Sequence, residues 1–264
     1  MPSTFIDTHC HLTDKPLSSR LPQVVCQARQ QRVMEIIVPA YDLPSSFAAA
    51  ELAATYEGIV FSVGIHPGWL NNETFPESAL LEAVTSLKPT AIGEIGLDYA
   101  LEHFDPRLQD QALERQLELA GEFKLPVIIH CRKAFQPLYN RLKHFPGVTG
   151  VLHAFNGGPD FAEKFLELGY FLAFGGGVTR PQARKIRKTA LMVPDDRVVL
   201  ETDAPYIGSH TVPRSEMAPA AIPHIAHAFA ELRDWTLEET ARRTTANARR
   251  LFKLPAIEKT GGDG

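Results

Sequence analysis

Cysteine is scarce in this chain: Cys10, Cys26 and Cys131 are the only three among 264 residues. An odd, scattered trio cannot frame a disulfide scaffold, which points to a reducing, cytoplasmic setting. Positive charge is not in excess either. Lys and Arg number 27 against 31 Asp and Glu, for a formal net charge of -4 with the histidines neutral. That balance argues against a protein that coats nucleic acid through a basic exterior, so any such contact must be made at a local site. No apolar run approaches the ~18 residues a membrane helix needs, and no membrane association is expected. Met1-Pro2-Ser3-Thr4 leads directly into an apolar strand without a basic stretch, so no secretory leader is expected. No linker, low-complexity tract or shift in composition divides the chain. A single domain over residues 1–264 is expected, with about 255–264 as a disordered tail ending Gly261-Gly262-Asp263-Gly264. Nothing implies a protein partner.

What the chain does contain is alternation. Short apolar runs at 4–9, 35–39, 60–65, 91–95, 127–130, 150–155, 170–174 and 198–202 have the character of buried parallel strands. Helical patterns lie between them, at 22–31, 45–56, 77–87, 106–123, 133–145, 159–168 and 181–191, followed by 218–232 and a last helix from Thr236. Ser45 or Ser46 can cap the second helix, and Thr236 with Glu239 forms a capping-box pattern. Eight strand–helix repeats in this length fit a closed (β/α)8 TIM barrel, with an open doubly wound sheet as the alternative.

The unusual polar residues fall at strand ends. In "FIDTHCHL", residues 5–12, Asp7, His9 and His11 occupy every second position and so share one face of a strand. His66 follows the third strand. Glu94, His130, His153 and Asp203 close the fourth, fifth, sixth and eighth. All lie at C-terminal ends, the rim where barrels build active sites. One buried histidine is usually a satisfied core residue, but four histidines and two carboxylates converging on one rim are costly to bury unless they bind metal. Six protein ligands exceed what one catalytic ion needs while keeping an open position, so two divalent ions are expected. Glu94 is the natural bridge. One ion takes His9, His11, Glu94 and Asp203; the other takes Glu94, His130 and His153. Asp203 can also act as general base toward water. Asp7 and Glu201 share parity with ligands one step deeper and are expected to orient ligating imidazoles. Cys10 and Cys131 fall on the opposite face, as apolar filler between sheet and helices.

Together "FIDTHCHL", "GIHPG", "GEIGLDY", "LPVIIHCR", "HAFNGG" and "LETDAPY" resemble the TatD family of metal-dependent deoxyribonucleases, over about residues 4–254. The resemblance implies a (β/α)8 barrel, a divalent metal centre and phosphodiester hydrolysis. It places the ligand role on His9, His11, Glu94, His130, His153 and Asp203, in agreement with the reading above. Glu94 stands where many related barrels carry a carbamylated lysine. The chain departs from the family's pattern at Arg214-Ser215-Glu216-Met217, where Arg-Asn-Glu-Pro is frequent, at Ile207-Gly208-Ser209-His210, and at Ala154, where cysteine is frequent. The loop 207–217 borders the site, so these departures bear on substrate.

A phosphodiester is anionic, and Arg132, Arg180 and His66 are the candidates to bind it. Arg132 has a planar fork suited to phosphate, or forms a loop salt bridge. His66 can hydrogen-bond a phosphate oxygen or the leaving group. Arg180 leads a basic cluster with Arg184, Lys185, Arg187 and Lys188 that otherwise is a solvated helix face. The glycines of "FGGGV", 174–178, offer backbone to a phosphate or simply let a loop turn. Tyr99 and Tyr206 can stack on a base or pack. The expected activity is a metal-activated water cleaving DNA at ends or in single strands, Glu94 and Asp203 being the catalytic carboxylates. The same centre would also serve a carboxylic ester, a lactone or an aminoacyl-RNA, and a non-catalytic binding barrel is the remote alternative. Histidines disfavour calcium; zinc, manganese, nickel or iron suit them, and the resemblance adds magnesium.

Overall fold

A computed structural model of the protein describes residues 3–70 and 75–255. Eight strands run in chain order and pair in parallel with their sequence neighbours: β1 (Phe5–Asp7), β2 (Val33–Val38), β3 (Ile59–Val63), β4 (Ala91–Asp98), β5 (Val127–Arg132), β6 (Gly150–Leu152), β7 (Phe171–Phe174) and β8 (Val198–Leu200). A doubly wound sheet would reorder its strands about a central switch point, so this order decides for the barrel. The helices are α1 (Leu21–Gln30), α2 (Leu43–Thr55), α3 (Glu77–Leu87), α4 (Pro106–Phe123), α5 (Phe135–Leu142), α6 (Pro159–Glu167), α7 (Arg184–Met192), α8 (Ile222–Arg233) and α9 (Leu237–Phe252). Among the described residues no helix is long and apolar enough to cross a membrane. The expected tail, about 255–264, lies outside the described residues from 256 on.

Closure between β8 and β1 is made past the strand ends. The Thr8 N–H and hydroxyl both donate to the Leu200 carbonyl, at 3.1 and 3.0 Å. Asp203 N–H donates to the His9 carbonyl and His11 N–H to the Ala204 carbonyl, each at 2.9 Å. The Asp7 carboxylate staples the seam, accepting from the Thr202 N–H at 2.9 Å and the Thr202 hydroxyl at 2.7 Å.

Several strands stop short of expectation, β2 at Val38 and β3 at Val63 among them. β1, β6 and β8 end at Asp7, Leu152 and Leu200, and His9, His11, His153 and Asp203 lie just beyond. The backbone leaves the ladder there, which frees it to aim polar side chains across the rim. The second helix also starts earlier than expected. Asp42, not a serine, is its cap, accepting from Ser45 N–H at 2.8 Å while the Ser45 hydroxyl accepts from Asp42 N–H at 2.9 Å. Thr236 caps α9 as expected, accepting from Glu239 N–H.

Two apolar layers hold the barrel. Between strands and helices packs the larger one, which includes Cys10. Inside, Ile6, Ile37, Ala91, Ile128, Val151, Phe171 and Val199 each come from a different strand and meet Ala248, Leu251 and Phe252 of α9. The last helix thus plugs the end of the barrel away from the rim. Phe252 is 2% exposed, and truncating a buried phenylalanine costs about 3–5 kcal/mol. Phe252→Ala is therefore expected to lower stability by that amount in urea unfolding, while metal content of the folded fraction stays at the wild-type level.

Candidate metal centre

Glu94 owes its direction to an irregularity. On β4, Ile92 and Ile95 both pack in the outer layer, which strict alternation cannot allow. The pairing with β5 explains it: Gly93 pairs with Ile128 and Ile95 with Ile129, so Glu94 is the unmatched residue of a β-bulge. A bulge re-aims one side chain and shifts the pattern that follows. Glu94 then faces the barrel interior, as does Asp98. Glycine is required on both sides of it. A Cβ at Gly93 would lie 2.6 Å from the Ile128 Cβ, and one at Gly96 (φ +147°) 1.9 Å from the His130 carbonyl oxygen.

The two oxygens of Glu94 meet two different sets of donors. Oε2 lies 3.4 Å from His9 Nε2 and 3.7 Å from His11 Nε2. Oε1 lies 3.0 Å from His130 Nδ1 and 2.8 Å from His153 Nε2. Asp203 Oδ1 completes the first set, 3.8 Å from His9 Nε2 and 3.6 Å from His11 Nε2. Within the sets, His9 Nε2 is 3.1 Å from His11 Nε2, and His130 Nδ1 is 3.2 Å from His153 Nε2. The rings of His9 and His153 stack at 4.1 Å where the sets touch. All six residues expected as ligands are therefore brought together.

These separations fit metal ions. Bonds of about 2.1 Å place neighbouring donors ~3.4 Å apart around a tetrahedral ion and ~3.0 Å apart around an octahedral one. Two neutral imidazole nitrogens about 3 Å apart can share at most one proton between them, whereas a cation satisfies both lone pairs. The donor chemistry agrees: burial holds His9 down to about 4, with the His153 charge adding to it, so its ring is neutral and able to ligate at neutral pH. Burial would raise Glu94, but the ring of imidazoles around it, with a hydrogen bond from His130, outweighs that and keeps the carboxyl well below its usual range.

Other residues fall less as expected. Asp7 does not reach an imidazole; its carboxylate is spent on the barrel seam and on the His9 N–H, at 3.3 Å. The alternation that placed it with the histidines breaks after β1, since Ile6 already occupies the barrel interior. Glu201 does not reach an imidazole either. Its Oε1 accepts from the Ala154 N–H, and Oε2 has no partner among the described residues. Ala154 (φ 45°) and Asp203 (φ 50°) both adopt the left-handed conformation that non-glycine residues rarely take. Glu201 thus holds one of two strained turns, beside His153. Arg180 is exposed and donates to the Gly208 carbonyl at 2.8 Å, bracing the loop 207–217 outside the cavity. Tyr99 stacks on Phe104 at 5.0 Å.

His66 joins the site with Nε2 3.6 Å from Glu94 Oε1. Its Nδ1 accepts from the Gly68 N–H at 2.9 Å, so the neutral ring carries its proton on Nε2, toward the centre. Burial holds it neutral, down to about 3. Arg132 lines the mouth, largely exposed, 3.9 Å from Asp98 Oδ2.

Several contributors escaped the sequence. Asp98 Oδ2 lies 3.2 Å from His130 Nε2, the outward nitrogen of that ring, and with Glu94 it holds the imidazole up at about 9 against the effect of burial. It is the aspartate of "GEIGLDY", on the inward face once the bulge is counted. Helix α4 fixes two rim segments through buried amides. Gln116 clamps both backbone groups of Ile65, at 2.7 and 3.1 Å, and Gln109 both of Asp98, at 2.9 and 3.1 Å. Tyr41 and Trp69 line the mouth together with Tyr206, around a cavity of about 260 Å³. Both lie in loops that follow strands, Tyr41 after β2 and Trp69 after β3.

The model of the TatD-related DNase family matches residues 6–253. The metal-dependent hydrolase YabD of Bacillus subtilis is 33% identical over 251 residues, 94% of this chain and 98% of its own. A 3'-5' ssDNA/RNA exonuclease TatD of Edwardsiella piscicida is 33% identical over 267 residues, 94% of this chain and 99% of its own. Among solved structures, the TatD homologue YjjV of Escherichia coli superposes with a TM-score of 0.89 at 34% identity, over 95% of this chain and 98% of that one.

Partners on the far nitrogen of a ligating imidazole set its orientation and basicity, and losing one costs 10–100-fold in metal affinity. Asp98→Asn is expected to weaken metal binding by about that factor in a competitive chelator titration.

Proposed function

The chain belongs to the TatD-related DNase family of metal-dependent hydrolases, and on that footing we propose that its rim holds two divalent ions and hydrolyses phosphodiester bonds at the ends of single-stranded DNA. The observation that carries this is Glu94, whose Oε2 faces His9 and His11 while Oε1 faces His130 and His153. His9, His11, Asp203 and Glu94 would hold one ion; Glu94, His130 and His153 the other. Three considerations favour a nucleic-acid end. A relative carries the name 3'-5' ssDNA/RNA exonuclease. The cavity, about 260 Å³, is below the ~300–1,000 Å³ of sites that enclose drug-sized ligands, which suits one terminal unit rather than a duplex. The chain's net charge of -4 argues against a long electrostatic groove.

When bound, the ions supply Lewis acidity, lowering the pKa of water and offsetting charge at phosphorus. The chain's own residues do the rest. Asp203, whose Oδ1 faces His9 and His11, accepts the proton of the attacking water at Oδ2. The neutral His66 ring presents its Nε2 proton to a non-bridging phosphate oxygen. Arg132 at the mouth offers its guanidinium to the next phosphate along the strand. Half-buried His130 and buried His153, both against Glu94 Oε1, keep the carboxylate from turning as charge builds up.

Purified protein is expected to release nucleotides from single-stranded DNA oligonucleotides in a reaction that a chelator stops. Glu94→Ala should slow it roughly 10³-fold or more, the several kcal/mol that such ions contribute. Carboxylic-ester hydrolysis with no release of nucleotides would overturn the substrate. Full DNA cleavage by a contaminant-free Glu94→Ala preparation would overturn the site.

A further inference from the structure

Three aromatic rings stand on one flank of the metal cavity and take no part in holding metal. Tyr41 follows β2, Trp69 follows β3 and Tyr206 follows β8, and all three line the cavity. Trp69 is 45% and Tyr206 40% exposed, unusual for rings at the wall of a buried polar site. They are held in place from below. Trp69 packs on Tyr41 at 4.5 Å with its edge to His66 at 5.4 Å. Tyr206 sets its edge against His11 at 5.0 Å. The two tyrosines share one acceptor: the Tyr41 hydroxyl donates to Asp14 Oδ1 at 2.9 Å, and the Tyr206 hydroxyl to Asp14 Oδ2. The Arg214 guanidinium, from the loop that departs from the family's pattern, covers one face of Tyr206 at 5.6 Å.

Such a device has a cost that packing alone does not explain. Asp14 ties three loops together so that large apolar faces remain in water, where burying them would be favourable. Exposed aromatics fixed on a rigid base, beside a site for phosphate, match the way unpaired bases are held: every base has a π-face, and stacking needs no particular edge. A base still paired in a duplex stacks on its neighbours and cannot lie flat on a wall ring. Arg132 stands on the strand-β5 side, opposite in chain order to this flank, so the phosphate chain can leave that way.

We propose that Trp69 and Tyr206 form a stacking subsite for the unpaired base adjoining the scissile phosphate, with Asp14 as the positioning residue that locks Tyr41 and Tyr206. The proposal rests on the nucleic-acid reading above. It makes the enzyme a reader of an unpaired base without regard to its identity, and Arg214 a contributor to substrate preference through Tyr206.

The test compares single-stranded DNA oligonucleotides whose terminal residue carries a base with ones whose terminal residue is abasic. The metal-loaded wild type is expected to favour the base-bearing end by roughly 5- to 150-fold in kcat/KM, the range measured for one base on one aromatic ring. Trp69→Ala should bring that ratio most of the way to one, and Trp69→Phe should restore much of it. A second readout needs neither turnover nor a variant. A phosphorothioate oligonucleotide that resists hydrolysis should quench the tryptophan emission of the holoenzyme, and an abasic-ended one should quench it less. Equal rates on both ends, or Trp69→Ala keeping the wild-type ratio, would overturn the subsite while leaving the nuclease reading intact. Quenching and tight binding without cleavage would overturn the nuclease reading while leaving the subsite.

Discussion

One carboxylate joins the two halves of the centre. Glu94 presents each of its oxygens to a different pair of imidazoles. The side chain reaches them only because β4 inserts a residue that β5 does not match. Without the bulge, alternation would set Glu94 beside Ile92 in the apolar layer under the helices, where an unpaired carboxylate is very costly. With it, the carboxylate sits among imidazoles that hold it ionised, and the separations are those that metal ions impose. The glycines around it, Gly93 and Gly96, let β4 and β5 come together closely enough for this.

The remainder of the barrel divides its work between its ends. At the far end an apolar plug of strand residues and α9 supplies packing. At the rim the strands stop early and the backbone is held by side chains instead. Asp7 staples β1 to β8, Gln109 and Gln116 of α4 clamp Asp98 and Ile65, and Glu201 fixes the left-handed turn at Ala154. Strain and buried charge are thus concentrated where ligands must be aimed, while the plug lies at the other end of the barrel.

Much of this was legible in the sequence. The strand–helix alternation gave the barrel, and the placing of polar residues after apolar runs identified the six converging side chains as well as His66. What was not legible depended on register. Alternation predicts the face of a side chain only while the strand is regular, and both β1 and β4 break it. Asp7 was therefore assigned to the imidazoles when it belongs to the seam, and Asp98 was passed over when it touches His130. Gln116 lies on the buried stripe of α4, and spacing shows that a residue is buried but not what its amide binds. The ring of aromatics was visible only in Tyr206, a stacking candidate: Tyr41, Trp69 and Tyr206 lie 28 to 165 residues apart in the chain, and only the closed barrel makes them neighbours.

The central claim is that Glu94 bridges two ions, and its most direct test is to count them. Protein saturated with zinc or manganese, freed of excess metal and analysed for its elements should carry two ions per chain, and Glu94→Ala should carry fewer than one. A single ion in the wild type, unchanged in Glu94→Ala, would contradict the account.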